Sequence, residues 1–430
     1  MTLRRLLLRL TGSAAMSLAL VAAPALAHDP APRPAAETAA PADAPARPDR
    51  ERMRMNQRVF DRVWSEVRGQ YYDPALHGVD WNGARRKFRP QALGATDDRV
   101  LYRVLGEMLA LLDDEHAGAA APAVARRLDT LHQPRPAIGV TLRPDPGKPG
   151  YYVVEKVRED SPAAAAGVSV GWRLDATGPA AWSPELDVFE GQAVSLAFSD
   201  PEGVDRSLTI TPRILQPRPP FTADMSRPGV AILRIDAFDS GLGDWVGRQL
   251  AGLPPETDVV LDLRGNSGGR LLEADAVLSC FLPRDRVWAT RTTRSGRAIP
   301  LRTAGGCGDL DGPAANDVAV LVDANSRSAA ELTPAALQEA GRAVVVGQPT
   351  AGSVLISQDS RLPDGGRLSL SRSDFVTAGG VRLEKRGVTP DLTASASAAD
   401  AGSGADPVLD LAIAALAPAP QVRVEAAAPL

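Results

Sequence analysis

Ser328 lies in the segment Asn325-Ser326-Arg327-Ser328-Ala329-Ala330-Glu331, a few residues after the apolar run Val318–Val322. A serine hydroxyl is inert at neutral pH, so nucleophilic chemistry needs a nearby base to take its proton. At a strand-to-helix junction the hydroxyl would be exposed, and the first N–H groups of the helix would face developing negative charge. The spacing Ser328-x-x-Glu331 is also that of a capping box, which implies no catalysis.

Few side chains could serve as the base. The chain has four histidines, His28, His77, His116 and His132, and four lysines, Lys87, Lys148, Lys156 and Lys385. A neutral imidazole, with a pKa near 6.5, can accept a hydroxyl proton and return it to a leaving amine. The turn Arg264-Gly265-Asn266-Ser267-Gly268-Gly269 could supply backbone donors, because glycine lets a tetrahedral oxyanion approach closely. Cys280 and Cys307 lack a nucleophile signature. They read either as unpaired thiols or as a disulfide closing a loop of roughly 27 residues, which would stabilise by roughly 3 kcal/mol. No metal-ligand cluster or cofactor fingerprint is present, so neither a metal nor a cofactor is expected.

These residues sit in three differently patterned regions. Val59, Val63 and Val67 recur at i+4 beside Phe60 and Trp64, and a second helical pattern runs from about Asp97, with Thr96 as cap, to Leu112. Both precede Asp113-Asp114-Glu115-His116. From Ala137 to about Arg213 the pattern becomes short strands, Ile138–Leu142, Tyr151–Val154, Val194–Phe198 and Ser207–Ile210. A short helix over Ser161–Val168 interrupts them, with glycine at its C-cap. The last region alternates strands (Val230–Ile235, Val259–Leu263, Val318–Val322, Ala343–Val346) with helices near Leu271–Leu278 and Ala329–Ala340. That alternation predicts an α/β layered domain. Pro334 falls inside the helix that follows Ser328 and predicts a kink or a late helix start.

Arg4, Arg5 and Arg9 precede an apolar stretch, Leu10–Leu26, that ends in Ala25-Leu26-Ala27. This is the pattern of a cleaved export signal. No later segment is long and apolar enough to span a bilayer, so no stable membrane span is expected once the signal is removed. His28–Asp49 is rich in Pro and Ala and reads as a disordered linker. The net charge of −4 and the lack of a basic run interleaved with aromatics argue against nucleic acid as a partner.

Several segments, in order, resemble the carboxy-terminal processing (tail-specific) serine protease family. They are Tyr71-Tyr72-Asp73-Pro74, Ser161-Pro162-Ala163, Val259–Gly269, Asn325–Glu331, Gly347–Gly352, Leu362-Pro363-Asp364-Gly365-Gly366 and Gly387-Val388-Thr389-Pro390-Asp391. The resemblance spans roughly residues 54–416 and rests on order and spacing together. It implies an α/β multidomain fold: a signal peptide (1–27), a disordered linker (28–50), a helical N-terminal subdomain (51–133), a PDZ-like β-rich module (134–215), an α/β ClpP/crotonase-like protease core (216–420) and a tail (421–430).

The resemblance makes Ser328 the nucleophile, with Gly268 or Gly269 and Ala329 forming the oxyanion hole. Many family members place a lysine base 25 positions after the serine, where this chain has Ser353. The arrangement of the related tricorn-protease core instead uses a histidine ahead of the PDZ-like module and a downstream glutamate. His116 and Glu384 occupy those places, although the serine that precedes the tricorn-type histidine is here Glu115. Ile138, Gly139 and Val140 resemble a carboxylate-binding loop for peptide C-termini, while the usual Gly-Asp after the short helix is Gly171-Trp172.

The implied activity is endopeptidase cleavage of unfolded or C-terminally exposed polypeptides in the periplasm or outside the cell. Oligomeric state is left open. The absent lysine and Pro334 motivate the alternative of an inactive peptide- or ligand-binding protein on the same scaffold.

Overall fold

The computed structural model describes residues 48–145, 147–178, 181–396 and 405–416. The signal peptide, nearly all of the linker and the 421–430 tail lie outside these residues. Among the described residues no helix is long and apolar enough to cross a membrane.

Helix α1 (Arg50–Gln70) starts at Asp49, whose carboxylate accepts the N–H of Arg52 at 2.7 Å. Its Val59, Val63 and Val67 are fully buried, as the i+4 spacing requires. Helix α2 (Trp81–Leu93) follows, capped by Asp80. Helix α3 (Asp98–Leu109) is capped by Asp97 rather than by the expected Thr96; the Asp97 carboxylate takes the N–H of Val100 at 3.0 Å. Strand β1 (Gly118–Ala120) begins two residues after His116, and helix α4 (Pro122–Asp129) follows it.

The next elements are β2 (Arg135–Ala137), β3 (Val140–Pro144), β4 (Tyr151–Val157), α5 (Pro162–Ala165), β5 (Arg173–Asp175), β6 (Val194–Ser199), β7 (Asp205–Ile210) and β8 (Arg213–Leu215). Strands β3 to β7 form an antiparallel sheet in sequence order, and β2 pairs with β8 beside it. Ser161 caps α5 by accepting the N–H of Ala164 at 3.2 Å, and Gly167, at φ +80°, terminates it. The core under this sheet is small: Ile138, Val154, Leu174, Leu196, Phe198 and Ile210.

The remaining elements are β9 (Phe221–Asp224), β10 (Val230–Ile235), α6 (Leu242–Ala251), β11 (Asp258–Asp262), α7 (Leu271–Phe281), β12 (Val287–Thr293), β13 (Ala298–Arg302), β14 (Val318–Val322), α8 (Ala329–Glu339), β15 (Val344–Gly347), β16 (Ile356–Arg361), β17 (Arg367–Thr377), β18 (Leu392–Thr393) and a last helix, Pro407–Leu416. A six-stranded sheet has the order β18-β15-β14-β11-β10-β9. It is parallel except at β9. Alternate residues serve its two faces. Val259, Leu261, Val318, Val320 and Val322 join α6, α7 and α8 in one core, while Val260, Ala319, Leu321 and Val346 pack with the Pro407–Leu416 helix in another. Covering both faces explains the unbroken apolar runs. Cys280 of α7 is joined to Cys307 in a disulfide, with the Cα atoms 5.0 Å apart. Helix α8 begins at Ala329, directly after Ser328, with Pro334 inside it. The late start expected from Pro334 does not occur.

A second, antiparallel sheet has the order β1-β17-β12-β13, with β16 also paired to β17. Its long strand β17 serves two cores. Leu368 and Leu370 pack among α1, α2 and α3, whereas Phe375 packs with Trp288 in the α/β core. Because β1 pairs with β17 through Gly118↔Ser369 and Ala119↔Leu368, the segment just after His116 is fixed to the α/β region.

Candidate active site

The loops after β11 and β14 leave adjacent parallel strands at their C-terminal ends, where open α/β sheets place their ligand sites. Several hydrogen bonds bind the two loops together. Gly265 N–H reaches Asp323 Oδ1 at 2.9 Å, Ser326 Oγ donates to the carbonyl of Leu263 at 2.9 Å, and Arg327 N–H donates to the carbonyl of Asn266 at 2.9 Å. Asn266 is fully buried. Its Nδ2 donates to the carbonyl of Ile235, and its Oδ1 accepts the N–H of Gly268 at 2.7 Å.

Ser328 sits between this pair of loops and α8, at φ 53° and ψ −118°. A non-glycine residue in that region costs on the order of 1–3 kcal/mol and persists only where its surroundings fix it. Here they do. Its N–H donates to the carbonyl of Ser353 at 2.8 Å and to Glu331 Oε2 at 3.0 Å, and its carbonyl accepts from Glu331 and Leu332. The capping-box relation of Ser328 and Glu331 is therefore present together with the strain that would present a hydroxyl for attack.

Glu331 does more than cap. It is fully buried and accepts four hydrogen bonds, from Thr350 Oγ1 at 2.5 Å and Gly352 N at 2.7 Å on one oxygen, and from Ser353 N at 2.9 Å and Ser328 N on the other. Burial raises its pKa above the usual carboxylate range, against the pull of these donors. The Gly347–Gly352 motif is thereby attached to the serine loop.

The expected oxyanion donors differ in their commitments. Gly268 N–H is held by Asn266, so it does not point freely at a ligand. Neither the N–H of Gly269 nor that of Ala329 has a partner among the described residues. Gly268 instead provides closeness. A Cβ added there would lie 2.7 Å from Ser328 Cβ and 2.8 Å from the carbonyl oxygen of Arg327, and the residue has φ +94°.

His116 comes to the same place from the end of the helical region. Its ring nitrogen Nδ1 is 3.4 Å from Ser353 Oγ and 3.8 Å from Asp114 Oδ1. Its backbone N–H donates to Asp114 Oδ1 at 2.8 Å. Burial lowers the His116 pKa below 6.5; the charges of Asp114 and Glu115 oppose this, and that of Arg327 adds to it. Glu115 pairs with the Arg327 guanidinium, which joins the histidine loop to the serine loop.

Glu384 is also buried nearby, but no contact joins it to His116 among the described residues. Its Oε2 accepts the N–H of Val354 at 2.9 Å. Burial raises its pKa, with the Val354 N–H opposing. Lys385 pairs with Asp113 at 3.3 Å. Sequence reasoning placed no role on Asp114, Ser353 or the Glu331 carboxylate as a hub. The signal for Ser353 was its position, where a lysine was sought.

Ile138, Gly139 and Val140 line a groove of about 650 Å³ that extends past Leu128 and Leu215 to Asp236 and Asp239. Gly139 has φ +89°, and an added Cβ would lie 2.1 Å from Ser161 Cβ, so only glycine fits there. Between those two aspartates, Phe238 exchanges hydrogen bonds with Gly268 and Arg270, so the groove ends beside the glycine turn. Lys156 Nζ donates to the carbonyl of Gly265 at 2.7 Å, a second link between that sheet and the turn.

Residues 229–394 match the model of peptidase family S41, and residues 54–110 match the tricorn protease C1 domain. The chain is 27% identical over 344 residues to a carboxyl-terminal-processing protease of Picosynechococcus sp., covering 77% of this chain and 81% of that one. It is 26% identical over 362 residues to a chloroplastic carboxyl-terminal-processing peptidase 2 of Arabidopsis thaliana, covering 77% and 68%. Among solved structures it resembles a photosystem II D1 C-terminal processing protease, with a TM-score of 0.56 and 22% identity over 79% of this chain and 93% of that one. It also resembles the tricorn protease, with a TM-score of 0.51 and 18% identity over 85% and 36%. Residues 229–394 thus form a peptidase family S41 region, and the chain, similar along most of its length to carboxyl-terminal-processing proteases, is a serine peptidase with an α/β protease core.

Substituting Gly268→Ala should displace Ser328 and lower kcat/KM at least about a hundredfold, the size of losing one oxyanion donor. Circular dichroism should show an unchanged fold. Full activity in Gly268→Ala would mean that the close approach of the two loops is not needed.

Proposed function

We propose that the chain is an exported endopeptidase that cleaves unfolded or C-terminally exposed polypeptides, with Ser328 as nucleophile and His116 as base. The observation that carries this reading is that Ser353 touches both groups: its carbonyl takes the N–H of Ser328 and its hydroxyl faces His116. In this reaction His116 Nε2 accepts the Ser328 proton as Oγ attacks the scissile carbonyl. The N–H groups of Gly269 and Ala329 receive the oxyanion. The imidazolium then protonates the leaving amine, and water hydrolyses the acyl-enzyme by the same route. Glu384 acts through Val354, holding the segment that carries Ser353, rather than on the imidazole itself.

Residues 134–215 serve in this reading as a PDZ-like module. The β3–β7 sheet with α5, and the groove at Ile138, Gly139 and Val140, support capture of a substrate C-terminus as an added strand. The Cys280–Cys307 disulfide fits an oxidising compartment, as does the export signal read in the sequence, and both support a periplasmic or secreted protein. No cofactor enters the chemistry.

Incubation of the mature protein with casein tests the assignment. Ser328→Ala should abolish cleavage, and His116→Ala should lower it by about a thousandfold or more. Cleavage by either variant at the parent rate would remove that residue from the mechanism.

The pH profile tests the base separately. A base whose pKa is lowered stays neutral further into acid, so the acid limb of kcat/KM should have its midpoint below 6.5. Arg327→Ala removes a positive charge near the ring and frees the Glu115 carboxylate. Both changes favour the imidazolium, so the limb should move to higher pH. A limb unmoved in Arg327→Ala, or one with its midpoint above 6.5 in the parent, would contradict the assignment.

A further inference from the structure

We propose that Ser353 is the positioning residue for the base: its hydroxyl accepts the Nδ1 proton of His116, which leaves the Nε2 lone pair for Ser328. This rests on the assignment of Ser328 and His116 made above. A neutral imidazole carries one proton on one nitrogen, and the partner of the other nitrogen decides which. With the proton on Nε2 the ring could not accept one from Ser328 at that atom.

The groups that could hold Nδ1–H are few. Asp114 Oδ1 lies 3.8 Å from Nδ1 and is already used by the His116 backbone N–H at 2.8 Å. Glu115 is committed to Arg327, and Glu384 to Val354. Ser353 Oγ, at 3.4 Å, is the nearest acceptor. That separation is long for a hydrogen bond, as it often is in a resting active site, and would tighten with substrate bound. The negative charge of Asp114 on the same side favours a proton on Nδ1 over one on Nε2.

The hydroxyl is held still by its own backbone. Ser353 N–H is bound to Glu331 Oε2, its carbonyl is bound to Ser328 N–H, and the N–H groups on either side reach Glu331 and Glu384. The residue is almost wholly buried. Its backbone thus keeps the nucleophile's place while its side chain sets the ring's tautomer. A chain without lysine at this position retains a hydroxyl there that does a different task.

Nitrogen-15 NMR of the full mature chain, labelled at histidine and carrying Ser328→Ala to prevent self-cleavage, reads the tautomer directly. The His116 signals are identified by their loss in a His116→Gln version. The Nδ1–H tautomer should dominate at pH 8, and adding Ser353→Ala should shift the population toward Nε2–H. In the active protein, Ser353→Ala should lower kcat by at least about tenfold with KM little changed, and Ser353→Thr should restore most of it. A dominant Nε2–H tautomer in the parent, or a tautomer ratio unmoved by Ser353→Ala, would overturn the proposal whatever the activity. Full activity in His116→Ala would instead sink the base assignment, so the two failures are distinguishable.

Discussion

The site depends on one buried carboxylate. Glu331 lies in the first turn of α8, fully enclosed, and binds four donors from two segments that are neighbours only in the fold. A buried charge of this kind is tolerable only when its lone pairs are filled, and removing a partner costs several kcal/mol. The constraint therefore acts in both directions. The carboxylate requires the Thr350–Ser353 segment and the Ser328 N–H to stay where they are, and their positions hold Ser328 in a backbone conformation it would otherwise leave. The familiar capping pattern and the strained backbone of Ser328 are one arrangement.

Distant parts of the chain converge on this hub through β17. Its N-terminal half gives Leu368 and Leu370 to the helical core and pairs with β1, while its C-terminal half gives Phe375 to the α/β core. An imidazole carried just ahead of β1 is brought to a loop more than two hundred residues later in the chain. The Glu115–Arg327 pair closes the same gap by charge. That pair is partly exposed, so its contribution to stability is small; its consequence lies in the potential at the ring.

Much of the α/β region was legible because buried parallel strands write themselves as unbroken apolar runs. Val230–Ile235 and Val318–Val322 have the bounds read from the sequence. The β12-β13 and β16-β17 pairs were not, since half-exposed antiparallel strands such as Ile356–Arg361 mix Ser, Gln, Asp and Arg with few apolar positions. Thr96 lost the cap of α3 to Asp97, a contest between adjacent cap-forming residues that pattern alone does not decide. Of the residues singled out in the sequence, Ser328 and the glycine turn lie against each other, and His116 lies 3.4 Å from Ser353. Glu384 was given to the imidazole, but its carboxylate is bound to Val354, because spacing along a chain says nothing of which way a side chain turns. Ser353 was noticed only as the place of an absent lysine, and Asp114 only as a neighbour of His116, because the contacts of a serine or an aspartate are set by what folding puts 3 to 4 Å away.

A covalent label offers the most direct test of proton transfer between two segments so far apart in sequence. The mature protein is treated with a fluorophosphonate, and the modified residue is located by peptide mass spectrometry in the parent and in His116→Ala. The account predicts modification at Ser328 in the parent and a labelling rate reduced by at least about a hundredfold without the imidazole. Label on another residue, or on Ser328 at the same rate in both proteins, would contradict it.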